Sequence, residues 1–309
     1  MDKTQRQAKN TTWLLITCIL ATLSIIGCLM VVKIYKDTLN YQSLNASLQE
    51  KIDTLDTQVT SKDEEVSTLQ TKLDSLNNID DSINAVKEEY FKYAVEAEAK
   101  AKSGEADFKV CYLTFDDGPY RKTTPTFLDI LDEKDVLATF FLLKKEGVDD
   151  LYFREMYSCH TLANHTASHD IFGYTYSSEE NFINDIKENR EFIQNLLGYT
   201  TEVMRFPGGS PQATYSGLSK SEIVKELVDM HYGYVDWTLT TGDGGAVLEP
   251  DEFLHNVIDY SSNFNTLVVL MHDYSANTAA CLPEMIDELS NQGFIFLPLS
   301  YNATAVKKQ

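Results

Sequence analysis

The feature that most constrains the fold is an alternation that starts beyond Ser103-Gly104-Glu105 and continues toward the C-terminal end. Short apolar runs at Val110–Leu113, Leu137–Leu143, Val203–Phe206, Tyr232–Val235, Thr266–Met271 and Phe294–Leu297 read as buried strands. Between them, Thr126–Lys134, Glu179–Leu197, Ser221–Met230, Asp251–Ser262 and Cys281–Asn291 carry apolar residues at helical spacing. Pro125 and Pro283 suit first helical turns, and Gly198, Gly233 and Gly293 suit helix ends. Strands alternating with helices predict a mainly parallel α/β architecture, with a barrel as the natural closed form. In a barrel the C-terminal ends of the strands share one face, and that face carries the chemistry.

The first hundred residues are of another kind. Residues 1–12 are polar, with Lys3, Arg6 and Lys9, and the run from Trp13 to Val32 has no charge. A run of about twenty apolar residues is long enough to cross a bilayer as a helix. It is read as an uncleaved anchor at 13–32 with a cytoplasmic N-terminus, placing the rest of the chain outside the cell. Ile25-Ile26-Gly27-Cys28 is also similar to a permissive lipoprotein cleavage box, although Leu29–Val32 continue the apolar run past the cysteine. Residues 33–104 are expected to form a helical stalk. Ile52, Leu55, Val59, Val66, Leu69, Leu73 and Leu76 alternate spacings of three and four, with Lys62 in one seam position, as in a short coiled coil that would form a homodimer. Asn77-Asn78 breaks that phase, and Ile79, Ile83, Val86 and Tyr90 resume it in a new register. The competing reading is a partly disordered linker, because Ser, Thr, Asn and Asp are frequent.

A net charge of −21 argues against a nucleic-acid partner. The five cysteines, Cys18, Cys28, Cys111, Cys159 and Cys281, contain no CxxC pair, so neither a cysteine zinc site nor a disulfide framework is indicated.

Polar residues end the predicted strands. Thr114-Phe115-Asp116-Asp117-Gly118-Pro119 places two acids where a strand stops and the chain turns; adjacent carboxylates in a partly buried place are costly unless a cation joins them. An exposed acidic turn is the alternative. In Asn164-His165-Thr166-Ala167-Ser168-His169 two histidines four apart share one face if the segment is helical. Two imidazoles and a carboxylate make three ligands with one position open, the pattern of a catalytic metal site. Arg205 ends a strand before Pro207-Gly208-Gly209, and its guanidinium can hold a carboxylate bidentately. Asp236-Trp237, with Asp243 a little beyond, sets an acid beside an aromatic wall, and Leu267–Met271 delivers His272 and Asp273. Each of these has a bland structural reading when taken singly.

Taken in order, Thr114–Pro119, His165–His169, Arg205–Gly208, Asp236-Trp237 and Leu270–Asp273 resemble the five motifs of the polysaccharide deacetylase family, the NodB-homology domain of carbohydrate esterase family 4. The resemblance covers roughly residues 105–300. It implies a distorted (β/α)7-8 barrel over 105–301 and covers nothing of the transmembrane helix and coiled-coil-like stalk that precede it or of the tail at 302–309. It implies that Asp117, His165 and His169 hold a divalent metal, zinc or cobalt. Asp116 would be the general base, oriented by Arg205, and His272 the general acid, its pKa raised by Asp236. The Gly208 N–H would stabilise the oxyanion, while Trp237 and Leu270 would border the acetyl pocket. Position 208 often carries an aromatic residue in this family, so one sugar contact is missing here. His160 lies outside the paired histidines and is read as structural.

The expected function is metal-dependent deacetylation of N-acetylated polysaccharide by a membrane-anchored enzyme, with peptidoglycan N-acetylglucosamine as the first-choice substrate. Chito-oligosaccharide and acetyl-xylan are alternatives within the chemistry, and a non-catalytic glycan-binding scaffold is the alternative outside it.

Overall fold

A computed structural model describes residues 3–145, 156, 160–198, 200–245 and 248–300. Cys159 and the 302–309 tail lie outside the described residues. The chain forms two units, Met1–Asp80 and Asp81–Gln309.

Helix α1 (Lys3–Ser103) supplies the first unit and continues into the second, without interruption at Asn77-Asn78. It contains one segment long and apolar enough to cross a membrane, which fits a single-pass anchor. Ile52, Leu55, Val59, Val66 and Leu69 are all exposed along it, so no second helix among the described residues covers the seam.

In the second unit, the last turns of α1 are part of the folded domain. Ala94, Ala97 and Ala101 are buried against a cluster containing Val110, Tyr112, Phe141, Val268 and Leu297. Small side chains on that face let the helix approach closely. Glu98 is buried among them, and accepts a hydrogen bond from the Tyr112 hydroxyl and an ion pair from Lys102. A buried carboxylate without such partners would be strongly unfavourable.

Among the described residues, eight parallel strands make the sheet: β1 (Lys109–Gly118), β2 (Thr139–Leu142), β3 (Thr161–Asn164), β4 (Val203–Met204), β5 (Gly233–Tyr234), β6 (Leu239–Thr240), β7 (Thr266–His272) and β8 (Phe294–Phe296). Their order is β5-β4-β3-β2-β1-β7-β6, with β8 joined to the start of β1. Among the described residues β5 and β6 do not pair, so the sheet is an open α/β half-barrel rather than a closed barrel. The helices between strands are α2 (Thr124–Glu133), α3 (Glu179–Leu197), α4 (Pro211–Tyr215), α5 (Lys220–Asp229), α6 (Pro250–Ser261) and α7 (Ala276–Asn291).

β1 is buried on both faces, as a parallel strand covered by helices must be. Cys111, Leu113 and Phe115 face the cluster under the helices, with Phe127, Leu131, Leu282 and Met285. Val110 and Tyr112 face the other way, so by the two-residue period Thr114 and Asp116 do as well. The same period puts Leu270 and His272 of β7 on that inner face, and the register sets Asp116 opposite His272.

Element bounds shift by a few residues at most ends, and Pro283 and Gly233 take positions other than those the sequence suggested. α7 begins at Ala276, capped by the Ser275 side chain accepting from the Thr278 N–H, so Pro283 lies inside the helix and not in its first turn. Gly233 starts β5; the preceding helix already ends at its Met230 cap.

Candidate active site

A bulge in β1 builds the centre of the site. Asp116 pairs with Phe141 and Gly118 with Leu142, leaving Asp117 as the extra residue, with φ of 70°. Bulges re-aim side chains, and here two consecutive carboxylates meet the same inner face. The left-handed conformation is costly for aspartate and is expected where function holds it in place.

His165 and His169 do not lie on a helix. They follow β3 in a loop with Thr166 and His169 at positive φ. That loop is tied down from below. Asp185 of α3 accepts from the Ala167 and Ser168 N–H groups and from the Ser168 and Thr175 hydroxyls. The Asn164 side chain accepts from the Thr166 N–H, and the Thr166 hydroxyl accepts from the His169 N–H. The Arg205 carbonyl lies 2.9 Å from His165 Nδ1. With Nδ1 donating to that carbonyl, Nε2 is left as a lone-pair donor facing the carboxylates. Burial, helped by the neighbouring His169, lowers the His165 pKa to about 3, so the ring is neutral under ordinary conditions.

Asp117 Oδ1 lies 3.5 Å from His165 Nε2 and 3.3 Å from His169 Nε2. The three donor atoms lie within 4.8 Å of one another. Asp117 Oδ1 is buried with no hydrogen-bond partner. A buried carboxylate oxygen facing two imidazole nitrogens is the donor set of a divalent cation, and an ion there would satisfy all three.

Asp116 stands beside this cluster, with Oδ2 3.6 Å from His165 Nε2. Its other oxygen accepts from Arg205 Nη1 at 2.7 Å. Arg205 is fully buried, and its remaining donors go to the Thr114 hydroxyl and the carbonyls of Val235 and Asp236, with the guanidinium stacked on Phe141. The contact to Asp116 is through a single nitrogen rather than bidentate, because the fork is shared among four acceptors. Burial pushes the Asp116 carboxyl up, against the pull of Arg205 and His272. Removing one member of a buried ion pair typically costs about 3–5 kcal/mol. Arg205→Ala is therefore expected to lower stability on that scale, read as a lower midpoint in urea unfolding; a midpoint within error of the parent would contradict the pairing.

His272 is held by Asp243, not by Asp236 as the sequence suggested. Asp243 Oδ1 lies 2.8 Å from His272 Nδ1, and Oδ2 accepts from the His272 N–H and the Thr278 hydroxyl. Gly244 lies against the Cε1 corner of the ring; a Cβ there would lie 2.6 Å from His272 Cε1. Burial disfavours the imidazolium, but the Asp243 hydrogen bond and the charges of Asp116, Asp243 and Asp117 outweigh it, so the His272 pKa is raised. Burial would raise the Asp243 carboxyl, yet its bonds to His272 and Thr278 hold it below its usual range. His272 Nε2 is 3.9 Å from Asp117 Oδ2, so the ring's free nitrogen points at the same centre.

Asp236 has a different task. It accepts from both the N–H and the hydroxyl of Ser210, each at 2.7 Å, and so fixes the turn that carries Gly208 and Gly209. Trp237 is half-buried beside that turn, close to Gly209, and Leu270 lies on the inner face two residues before His272. His160 is buried away from the cluster; it accepts from the Ala138 N–H and packs on Phe140.

The half-barrel thus presents at its strand ends two carboxylates, two imidazoles whose nitrogens could share a metal ion, and a histidine held by a third carboxylate. Comparison with known proteins gives the family. The polysaccharide deacetylase family matches residues 103–226. A peptidoglycan-N-acetylglucosamine deacetylase of Bacillus cereus is 31% identical over 195 residues, covering 61% of this chain and 68% of its own. The solved catalytic domain of a peptidoglycan N-acetylglucosamine deacetylase from Eubacterium rectale superposes with a TM-score of 0.60 at 31% identity, over 65% of this chain and 93% of that one. A CE4 esterase from Streptococcus mutans does so with a TM-score of 0.57 at 26% identity, over 66% and 91%. The chain belongs to the polysaccharide deacetylase family.

Proposed function

We propose that this protein is a membrane-anchored, metal-dependent deacetylase that removes acetyl groups from N-acetylglucosamine of peptidoglycan. The observation that carries the reading is the convergence of Asp117, His165 and His169 on a buried, unpaired carboxylate oxygen, with Asp116 and His272 on either side. The names of the relatives from Bacillus cereus and Eubacterium rectale support peptidoglycan, and the apolar helix supports an anchor facing it.

Asp117, His165 and His169 would hold the ion; imidazole and carboxylate donors suit zinc, with cobalt as the alternative. An ion held there would supply Lewis acidity at the reacting carbonyl and lower the pKa of the attacking water. Asp116, kept in place by Arg205, would take a proton from the attacking water as its oxygen bonds to the acetyl carbon. The Gly208 N–H donates to the oxygen that becomes negative. His272 then gives its Nε2 proton to the amide nitrogen as the C–N bond breaks, which leaves acetate and the free amine. Asp243 keeps Nδ1 occupied so that Nε2 is the nitrogen that transfers.

The test is acetate release by the full chain in detergent from peptidoglycan, chitin oligomers and acetyl-xylan side by side. Peptidoglycan is expected to be the preferred substrate, a chelator to stop release, and added zinc or cobalt to restore it. Turnover unaffected by exhaustive chelation would contradict the metal assignment. Glycan binding without acetate release from any of the three would favour a scaffold role. The exposed seam from Ile52 to Leu69 fits pairing with a second copy, which sedimentation of the same preparation would read as a dimer.

A further inference from the structure

Beside the site is a groove of about 570 Å³ lined by Ile171, Phe172, Tyr174, Tyr176, Gln212 and Ser216. It adjoins both halves of the catalytic machinery. Ile171 donates its N–H to the His169 carbonyl, so one wall continues the loop that carries the histidines. The Tyr176 hydroxyl donates to the Pro207 carbonyl at 2.9 Å, so another lining residue braces the Gly208 turn. Gly208 has φ of 74°, and a Cβ on it would point at Ile171 and Gln212, each 3.7 Å away. With no side chain at 208, the groove stays open up to the turn.

The groove wall is an exposed aromatic surface. Phe172 is 99% exposed and Tyr174 is 41% exposed. Leaving a phenyl ring wholly in water gains nothing for folding, and exposed apolar groups beside a cleft mark binding surfaces. The loop that presents it is built rather than slack. Asp170 accepts from the Tyr174 N–H through its carboxylate and from the Gly173 and Thr175 N–H groups through its carbonyl. Gly173 is packed so tightly on the Asp170 carboxylate that a Cβ would collide with it. A loop backbone fixed in this way does not have to be ordered when a ligand arrives, and only the ring's own rotamers remain to be selected.

We infer that this groove is a glycan subsite, in which Phe172 stacks on the apolar C–H face of a sugar unit flanking the one that is deacetylated. The chemistry fits a pyranose: C–H bonds meet the negative face of an aromatic ring, while Gln212, Ser216 and Tyr174 offer hydrogen-bonding groups at the edges for hydroxyls. Binding energy collected away from the reacting bond can be used to position that bond. The inference rests on the proposed deacetylase reading and specifies where it takes hold of polymer.

The test compares the full chain with Phe172→Ala and Phe172→Trp on N-acetylglucosamine pentamer and on 4-nitrophenyl acetate, alongside calorimetric binding of the pentamer. Phe172→Ala is expected to lower kcat/KM for the pentamer about tenfold, the factor that corresponds to about 1.4 kcal/mol, mainly through KM. It should leave 4-nitrophenyl acetate hydrolysis unchanged, and Phe172→Trp should restore the pentamer. Pentamer parameters within twofold of the parent, or equal losses on both substrates, would overturn the subsite. Were the parent inactive on both substrates, the deacetylase reading would fall; pentamer binding weakened by Phe172→Ala and recovered by Phe172→Trp would still establish the groove, and unchanged binding would remove it.

Discussion

Asp116→Asn is expected to abolish acetate release while leaving the protein folded. Asparagine keeps the shape of the side chain and an oxygen for Arg205 Nη1, so the buried hydrogen bond at 2.7 Å has an acceptor of the same geometry. What is lost is the capacity to take a proton from water, and loss of a positioned base typically lowers rate by about 10²–10⁴. Metal binding through Asp117, His165 and His169 should persist, because Asp116 is not among the three donors that converge. Assay of the variant with a matched circular dichroism spectrum checks this. A variant with near-parental turnover would show that another group receives the proton.

Asp243→Asn is expected to weaken catalysis by roughly tenfold to a hundredfold, the scale on which a carboxylate partner matters to the imidazole it orients. It should also change the pH profile in a stated direction. Asp243 stabilises the imidazolium of His272, so its charge raises the pKa. Without it the pKa falls, His272 loses its proton at lower pH, and the alkaline limb of the kcat profile moves toward acid. Asp236→Asn gives the contrast. Asp236 holds Ser210, and the charges that raise the His272 pKa are those of Asp116, Asp243 and Asp117, so its removal should loosen the Gly208 turn and lower the rate without moving that limb. If Asp236→Asn moved the alkaline limb and Asp243→Asn did not, the sequence-based pairing would be restored.

The confusion of these two aspartates shows what sequence patterns carry and what they leave out. Asp236 follows an apolar run and precedes Trp237, so it looks like a strand-end acid; Asp243 sits in Thr240-Thr241-Gly242-Asp243-Gly244-Gly245, which reads only as a turn. Its partner His272 is 29 residues away, and only the adjacency of β6 and β7 brings them together. A glycine next to that aspartate was a usable signal, since Gly244 exists to let the imidazole lie against the backbone. β3 and β6 escaped for a related reason. Thr161–Asn164 and Leu239–Thr240 are short and mixed in polarity, and they are strands because neighbours pair with them. The apolar runs of β1 and β7, in contrast, declare themselves in sequence, as does α3, whose bounds agree residue for residue.

His165 and His169 were paired through a helical spacing that the structure does not contain. They converge because the loop after β3 is pinned by Asp185, a buried acid on α3 that local sequence gave no reason to single out. Asp117 was legible as half of an acidic pair, but the bulge that turns its carboxylate toward the histidines depends on how β1 pairs with β2. The end of α1 is similar: Ala94, Ala97, Glu98 and Ala101 continue the helical pattern of the stalk, and only packing assigns them to the folded domain.

The most direct measurement is the metal stoichiometry and affinity of the full chain. The metal-free protein would be titrated calorimetrically with zinc, and its metal content counted after dialysis. One ion per chain is expected for the parent and for Asp116→Asn, with that ion lost in Asp117→Ala and in His165→Ala. Binding of one ion that survives both substitutions would contradict the assignment of Asp117, His165 and His169 as its ligands, and an unsubstituted chain that takes up no ion at all would contradict the proposed chemistry.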